Sequence, residues 1–471
     1  MSGANRPSPE QRAAAGKAAR ATVPLEAHAD FRATAARDPV GLVLRQDQTR
    51  VPNLVPIRHG RMAVSPFTFY RGAALVMAAD LATTPTTDVR AQLCGDAHLS
   101  NFGAYASPER RLVFDINDFD ETLPGPFEWD VKRLAASLVV AGRDNEFSRK
   151  ECRKITLAGM ESYRTAMRAF AAKPILSVWY AHLNIEEALA EYESALTRRE
   201  LKKQKANLRS TQSQLAKART RDSLQAVGKL TSMVGGQRRI VSDPPLIVPI
   251  DQLTGFDIDV LLAGIRDLLA AYQGTLRSDL RHLLDDFTLA DVAHKVVGVG
   301  SVGTRAWIVL LQAGSDEEAL VLQAKQAAPS VLAAYAGASE YVNQAQRVVA
   351  GQHLMQAASD IFLGWLHAPT GFGAEDYYVR QLRDWKLSAA IEEMGPHRME
   401  VYARLCGWTL ARAHARSGDR IAISAYLGNS TKFDNALADF AETYADQNER
   451  DHAAFTAAIA AGRVEATAAL M

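Results

Sequence analysis

Two stretches of the chain carry polar residues whose types and spacing suit phosphoryl chemistry. In the first, the loop Cys94–Asn101 follows a predicted strand and holds Asp96 and Asn101 five residues apart. A carboxylate in such a loop can take the proton of an attacking hydroxyl, and a nearby amide oxygen can bind Mg²⁺. The alternative is an ordinary polar turn, in which Asp and Asn are common because they hydrogen-bond locally.

A cluster of carboxylates follows the next predicted strand, Arg111–Ile116. Its members are Asp115, Asp118, Asp120 and Glu121. A hard divalent cation prefers oxygen ligands of this kind. The loop and the cluster together predict a site that binds a metal ion beside a candidate base.

The second stretch is rich in glycine and has the spacing G-x-G-x-x-G, formed by Gly298, Gly300 and Gly303 with Ser301 between them. This spacing alone fits a dinucleotide-binding turn, a kinase phosphate loop or chance. A dinucleotide site needs a helix after the glycines. Residues 304–311 are rich in β-formers instead, so the pattern favours a glycine loop between two strands, whose backbone N–H groups cover phosphates.

A lysine and an acidic residue follow the glycine-rich stretch. Lys325 ends the apolar segment Ala319–Lys325, which predicts a strand whose lysine pairs with nucleotide phosphates, as in kinases. A helix is predicted over roughly 329–350, and Glu340 is its one acid between 329 and 349. Glu340 is therefore the candidate that holds Lys325. An edge lysine and a solvent-exposed helix residue are the alternatives.

Residues 94–131 resemble the bacterial aminoglycoside and choline kinase-type phosphotransferases. That family carries His-Gly-Asp-x-His-x-x-Asn, then a strand ending in Asp-Trp/Phe-Glu/Asp, then Gly-Asp-Pro-x-Trp-Asp-Leu. This chain has CGDAHLSN at 94–101, NDFDE at 117–121 and GPFEWDV at 125–131. The resemblance implies that Asp96 is the catalytic base and that Asn101 binds Mg²⁺.

The resemblance also implies that the carboxylate at the end of the strand is the principal Mg²⁺ ligand. Spacing back from Trp129-Asp130 favours Asp118, whereas spacing forward from Asn101 allows Asp115, and both stay candidates. Asp130 would hold the catalytic loop from the following helix, which is a structural role.

The family pattern has two histidine positions in this loop. The first is Cys94 in this chain, which departs from the family at a residue that is usually part of the scaffold. The second is His98, which is expected to orient the loop or to approach the phosphate. A structural hydrogen bond is the alternative for His98.

The order of these features along the chain predicts a circular permutation. In kinases the glycine loop and lysine precede the catalytic loop, but here they follow it. The segment Met399–Arg416 resembles the phosphotransferase helix that comes directly before the catalytic loop. The predicted fold is α+β, bilobal and protein-kinase-like in permuted order, with a predominantly helical large lobe and a small antiparallel β lobe.

The predicted domain boundaries follow from this order. They are an N-terminal helical extension at 1–88, a large-lobe part with the catalytic loop and metal strand at 89–286, a small ATP-binding lobe with a hinge at 287–385, and C-terminal helices that complete the large lobe at 386–471.

The chain also resembles an uncharacterised bacterial family, domain of unknown function 2252, over roughly residues 40–440. The resemblance is carried by SPFTFYRG at 65–72, the CGDAHLSNFG loop, FDINDFDET and LARAHARSGD. It supports the fold and implies no particular substrate.

Composition limits the classes of partner. The net charge is +1 and 48 % of residues are hydrophobic, so no nucleic acid or membrane partner is predicted.

The segment 198–221 carries nine Lys/Arg and one acid, which predicts a solvated helix face, with a surface for an anionic substrate as the alternative. The N-terminus lacks the apolar region of a signal peptide, and the three cysteines are far apart. A cytoplasmic location is therefore predicted.

These observations predict a phosphotransferase that depends on ATP and Mg²⁺ and acts on a hydroxyl group of an unidentified acceptor. The acceptor is expected to be a small molecule, with a protein as the alternative. A kinase-fold enzyme that transfers AMP, or a nucleotide-binding regulator without activity, is the alternative, because the motifs define the nucleotide site and leave the acceptor open. A dinucleotide-binding α/β protein is a further alternative that requires a helix after Gly303. The oligomeric state stays open.

Overall fold

A computed structural model of the chain describes residues 7–187, 189–190, 209, 212–213, 215–216, 223–252, 258–296, 302–315, 318–369, 374–382, 385 and 387–467. Most of the basic segment 198–221 lies outside these residues. The chain is mixed α+β with antiparallel sheets, as predicted. Among the described residues, every helix is too short or too polar to cross a membrane.

The helices, in chain order, are α1 (Pro9–Thr22), α2 (Pro39–Asp47), α3 (Val55–Met62), α4 (Pro66–Gly72), α5 (Ala74–Leu81), α6 (Phe127–Asp144), α7 (Arg149–Ala171), α8 (Ile175–Trp179), α9 (Ser223–Leu230), α10 (Ile258–Gln273), α11 (Ser278–Asp285), α12 (Ala333–Ala336), α13 (Gln344–Met355), α14 (Pro396–Ser417), α15 (Arg420–Leu427) and α16 (Lys432–Ala460). The strands are β1 (Arg90–Leu93), β2 (Phe102–Ala106), β3 (Leu112–Ile116), β4 (Leu123–Pro126), β5 (Leu183–Asn184), β6 (Thr231–Val234), β7 (Gln237–Ile240), β8 (Ile247–Pro249), β9 (Thr288–Lys295), β10 (Ala306–Gln312), β11 (Ala319–Ala327), β12 (Gly364–His367), β13 (Asp376–Gln381) and β14 (Leu387–Ser388).

The largest sheet has six antiparallel strands in the order β12-β13-β11-β10-β9-β8. Its central strands are rich in Val, Ile and Leu, residues that pack well on a pleated surface. One face packs against α10 and α11 in a hydrophobic core that includes Tyr272 and Leu322. Because β10 and not a helix follows Gly303, the dinucleotide-binding alternative is wrong.

A four-stranded sheet, β14-β2-β3-β5, carries the loop at 94–101 and the acidic residues after β3. β2 begins directly after Asn101, and β3 ends two residues before Asp118. The hydroxyl of Tyr402, on α14, lies 2.9 Å from the main-chain oxygens of both Leu99 and Phe102. The C-terminal helix α14 therefore supports this loop.

Other helices of the core, above all α7, hold α14 against the loop at 94–101. α6 is buried along most of its length and packs against α7 and α16. α7 and α14 cross at two glycines, where a Cβ on Gly407 would lie 2.2 Å from the main-chain oxygen of Gly159. Only glycine permits that approach. The helix predicted over Met399–Arg416 is thus observed, from Pro396 to Ser417.

Two predicted helices are each broken in two. Apolar residues at helical spacing predict one helix over 66–82. It is interrupted at Ala73, where the main-chain oxygen of Gly72 accepts a hydrogen bond from Arg58. The helix expected over 329–350 consists of α12 and α13 with a loop between them. This loop begins at Gly337, whose φ of 104° suits glycine, and ends at Asn343, which caps α13.

The N-terminal extension is more closely packed than expected. The sequence predicts a loosely held segment that becomes helical near 24–36, but the long helix is α1, at 9–22. Gly16 lies against α15, where a Cβ would meet the main-chain oxygen of Ala422 at 2.1 Å. Arg12 forms an ion pair with Asp419 at 2.7 Å. Small residues in α1 allow this contact, which periodicity alone does not reveal.

Candidate functional site

The loop at 94–101 is held by the first turn of α6. The Asp130 carboxylate accepts hydrogen bonds from the main-chain N–H groups of Cys94, at 2.8 Å, and Gly95, at 3.0 Å. His414 Nε2 lies 3.3 Å from Asp130, and its Nδ1 lies 2.9 Å from the hydroxyl of Tyr163. Asp130 therefore has the structural position that the resemblance implies, and His414 supports it.

Asp96 lies at the end of this anchored segment with its side chain 19 % exposed. Its Oδ1 accepts a hydrogen bond from Arg133 Nε at 2.8 Å, and its main-chain oxygen accepts one from Asn101 Nδ2 at 2.8 Å. Burial raises the pKa of Asp96, while the charge and hydrogen bond of Arg133 act to lower it. The carboxylate is thus oriented by Arg133 and remains partly open to solvent.

His98 is buried beside Asp96, with Nε2 3.6 Å from Asp96 Oδ2. Its Nδ1 has no hydrogen-bond partner among the described residues. Burial and the nearby charges of Arg71 and Arg133 hold the pKa of His98 well below its usual value. His98 is therefore neutral at pH 7 and does not bring a positive charge to the site.

Asp115 and Asp118 have different environments. Asp115 is 1 % exposed, and its carboxylate contacts Arg412 and accepts a hydrogen bond from the N–H of Ala357 at 2.9 Å. The side chain of Asp118 is 32 % exposed. Asp115 thus links β3 to α14 inside the core, and the geometry favours Asp118 as the carboxylate that a cation can reach.

Lys325 lies beside the acidic residues that follow β3. Its side chain is 4 % exposed, its Nζ lies 3.9 Å from Asp118 Oδ2, and it forms a close ion pair with Asp120. The hydroxyl of Tyr378, on β13, donates to Asp120 Oδ1 at 2.8 Å. The two sequence constellations therefore meet in space, although they are far apart along the chain.

The charges in this cluster determine the protonation of its members. Burial favours the neutral form of Lys325, but Asp118 and Asp120 outweigh it and raise the lysine's pKa. Burial also opposes ionisation of Asp120, but Lys325 and Tyr378 lower its pKa. Burial and the charge of Asp120 raise the pKa of Asp118. Lys325 and Asp120 are thus a charged pair, and a further cation beside Asp118 would lower the raised pKa of that carboxylate.

The prediction that Glu340 holds Lys325 is not supported. Glu340 lies in the exposed loop between α12 and α13. In the described part of the chain, the ion pairs of Lys325 are with Asp118 and Asp120. The expected helix ends before Glu340, so the glutamate has no helical position from which to reach the lysine.

The helix α13 contacts the acidic loop through an arginine instead. Arg347 is 2 % exposed and donates hydrogen bonds to the main-chain oxygens of Thr122, Asp120 and Ala328, at 2.7, 2.9 and 2.8 Å. Sequence reasoning missed Arg347, Arg133 and Tyr378. The kinase pattern predicts an acid in this helix and gives no signal for Arg347, whose bonds to the acidic loop go to main-chain oxygens.

The glycine loop is only partly described. Gly298, Gly300 and Ser301 lie outside the described residues. Gly303 is described and has a φ of 90°, which glycine adopts readily. Its main-chain oxygen accepts a hydrogen bond from the N–H of Val51 at 2.8 Å, so the N-terminal extension contacts the end of the loop.

The residues available to a metal ion are few. Within the described residues, no group of three or more His, Cys, Asp or Glu side chains has the arrangement of a metal site. Asn101 donates through Nδ2 to Asp96, so its amide oxygen is the atom that can bind a cation. Asp118 adds a carboxylate that is partly exposed. Mg²⁺ bound with nucleotide phosphates commonly takes only one or two protein ligands.

Comparison with known proteins identifies a family. Searches of curated proteins and of solved structures gave no match. The model of a family described as uncharacterized protein conserved in bacteria, DUF2252, matches residues 50–458. The matched region includes the loop at 94–101, the acidic residues after β3, the glycine loop and Lys325. The chain therefore belongs to the DUF2252 family.

Proposed function

We propose that the chain is an ATP- and Mg²⁺-dependent phosphotransferase that acts on a hydroxyl group of a small-molecule acceptor. The observation that carries the proposal is the meeting of Lys325 with Asp118 and Asp120. A lysine for phosphates and a carboxylate for Mg²⁺ must lie together in a phosphoryl-transfer site. In this chain the lysine follows the glycine loop and the carboxylates follow β3. Each of these two stretches carries part of the residue set that a kinase uses.

The succession of elements around the six-stranded sheet supports a circularly permuted kinase-like fold. β9 and β10 flank the glycine-rich sequence, β11 carries Lys325, α13 follows, and β12 and β13 complete the sheet. Kinases likewise have a glycine loop, then a lysine on the third strand, then a helix. In this chain, the loop at 94–101 and the acidic residues precede those elements.

The roles follow from the positions. Asp96 accepts the proton of the acceptor hydroxyl, and Arg133 holds it in orientation. Lys325 binds phosphate oxygens. Asn101 and Asp118 are the residues that would hold Mg²⁺, which when bound neutralises charge on the phosphates. Catalysis in such a site consists mainly of positioning and charge stabilisation.

Nucleotide binding is the first test. Titration calorimetry with ATP and Mg²⁺ is expected to show binding by the unmodified protein, a large loss in Lys325→Met, and no change in Lys150→Met, which alters an exposed lysine on α7. Equal affinities of the unmodified protein and Lys325→Met would contradict the proposal.

The transferred group is the second test. Incubation with ATP and a mixture of hydroxylated metabolites, followed by mass spectrometry, is expected to show products heavier by a phosphoryl group. Products heavier by an adenylyl group would replace the proposal with AMP transfer. Nucleotide binding without any product over all acceptor classes would favour a regulator.

A further inference from the structure

Arg50, from the N-terminal extension, lies against the end of the glycine loop. Its side chain is 6 % exposed. Its Nη1 donates to the main-chain oxygen of Val302 at 2.5 Å, and the next residue, Val51, donates to Gly303. A Cβ on Gly303 would lie 3.0 Å from the Cβ of Arg50. Gly303 therefore leaves room for the arginine as well as adopting a positive φ.

The charge of Arg50 is only partly compensated. The nearest carboxylate with which it pairs, Asp47, lies 3.8 Å from its Nε. That same carboxylate is bound more closely by Arg58, at 2.7 Å, and by His59, at 2.8 Å. The Nε of Arg50 is buried and has no hydrogen-bond partner among the described residues. A buried guanidinium with an unused donor is costly unless a hydrogen-bond acceptor reaches it, and an anion would also balance its charge.

The acidic loop is also near. Burial and the charge of Arg58 lower the pKa of Arg50 to about 9. The charges of Asp47, Glu121 and Asp120 oppose this shift. Arg50 thus contacts the end of the glycine loop and is within reach of the charges of the acidic loop. In a phosphotransferase of this type, the phosphate chain of the nucleotide occupies that region.

We propose that Arg50 binds the phosphate chain of the nucleotide and supplies a positive charge to it from the N-terminal extension. The inference rests on the proposed function, because it takes the anion to be a nucleotide. A guanidinium suits this role, since its N–H groups match the geometry of phosphate oxygens and it stays charged. The extension would then complete the nucleotide site and not only pack beside it.

The experiment compares Arg50→Gln with Arg45→Gln, a control at an exposed position of α2. Binding of ATP, AMP and adenosine is measured for both variants and for the unmodified protein. Arg50→Gln is expected to weaken ATP binding about tenfold or more, because a charge-assisted hydrogen bond is lost, and to change adenosine binding by less than about twofold. Arg50→Lys, which keeps the charge, is expected to lose less ATP affinity than Arg50→Gln.

The outcomes separate this inference from the proposed function. Failure of the unmodified protein to bind any nucleotide would overturn both. ATP binding by a folded Arg50→Gln variant with the affinity of the unmodified protein would overturn the role of Arg50 alone. An equal loss for ATP and adenosine would also overturn it, because it would assign to Arg50 a purely structural role.

A measurement on the unmodified protein covers the case in which Arg50→Gln does not fold. Hydrogen–deuterium exchange is followed at the N–H of Val51 and at residues 302–304, with ATP and Mg²⁺ or with adenosine. ATP is expected to slow this exchange more than adenosine does. The same exchange rates with both ligands would overturn the inference.

Discussion

Lys325 and Asp120 form an ion pair across 205 residues of sequence. Tyr378 holds the same carboxylate, so the pair is part of a small network between the six-stranded sheet and the loop after β3. In kinases the lysine is held by a glutamate on the following helix. Here the ion-pair partners of Lys325 among the described residues belong to the acidic loop. The following helix, α13, contributes Arg347, whose side chain donates hydrogen bonds to main-chain oxygens of that loop.

Replacement of Asp96 tests the proposed base. Asp96→Asn is expected to lower the rate of transfer by about 10²–10⁴-fold, because a positioned base contributes that much, while ATP affinity stays close to that of the unmodified protein. Steady-state kinetics and calorimetry measure the two effects. Asp88→Asn, at an exposed position, is the matched control. Undiminished turnover in Asp96→Asn would show that the base is another residue.

A pair of variants distinguishes the two candidate Mg²⁺ ligands. Asp118→Asn is expected to fold normally and to lose the Mg²⁺ dependence of ATP binding, because Asp118 is the more accessible carboxylate. Asp115→Asn is expected to lower the free energy of unfolding by about 3 kcal/mol, because it leaves Arg412 buried without its counter-ion. Chemical denaturation and Mg²⁺ titrations measure these effects. The reverse pattern would assign the metal to Asp115.

The network around Lys325 is expected to be non-additive. Asp120→Asn breaks a largely buried ion pair and is expected to cost about 2–3 kcal/mol of stability, and Tyr378→Phe about 1 kcal/mol for one hydrogen bond. Because both changes act on the same carboxylate, the double variant is expected to cost less than the sum. Urea denaturation of the four proteins measures the coupling. Strict additivity would show that the hydroxyl and the carboxylate act independently.

Glu121 is expected to make stability depend on pH. Burial, opposed by a hydrogen bond from the N–H of Val331, raises the pKa of Glu121 to about 7, from about 4.5 when exposed. A raised folded-state pKa means that the folded state retains the proton longer than the unfolded state. The contribution of Glu121 to stability is therefore full below pH 4.5 and is lost as the pH rises to about 7.

The comparison of Glu121→Gln with the unmodified protein isolates this effect. The variant is expected to gain thermal stability relative to the unmodified protein between pH 5 and pH 8, because Gln cannot ionise. Glu109→Gln, which changes an exposed acid, is the control and is expected to show no such trend. A constant difference in melting temperature across this range would contradict the shift of the Glu121 pKa.

Local patterns were sufficient for the elements that form the site. The β-rich segments predicted at 304–311 and 319–325 are observed as β10 and β11, and the segment 399–416 lies in the helix α14, each within a few residues of its predicted bounds. Their signals lie in hydrophobic composition and alternation, which act over short distances. The support of the loop at 94–101 by Asp130 also agrees with what the motif implies.

Contacts between distant segments could not be predicted in the same way. The sequence predicts Glu340 as the one acid in a helix, but Gly337 and Asn343 place it in a loop. The contacts of Asp120 with Lys325 and of Arg50 with Val302 have no local signal, since each joins residues more than 200 positions apart. Such pairings depend on tertiary packing and are not encoded in residue spacing.

The three hydrogen bonds that Arg347 donates to main-chain oxygens have an evolutionary consequence. Their acceptors are main-chain oxygens, which every amino acid provides, so substitutions at 120, 122 and 328 can occur in homologues without loss of these bonds. Substitution of Arg347 itself would remove all three at once. We therefore expect an alignment of the family to show an arginine retained at 347 beside neighbours that vary more freely.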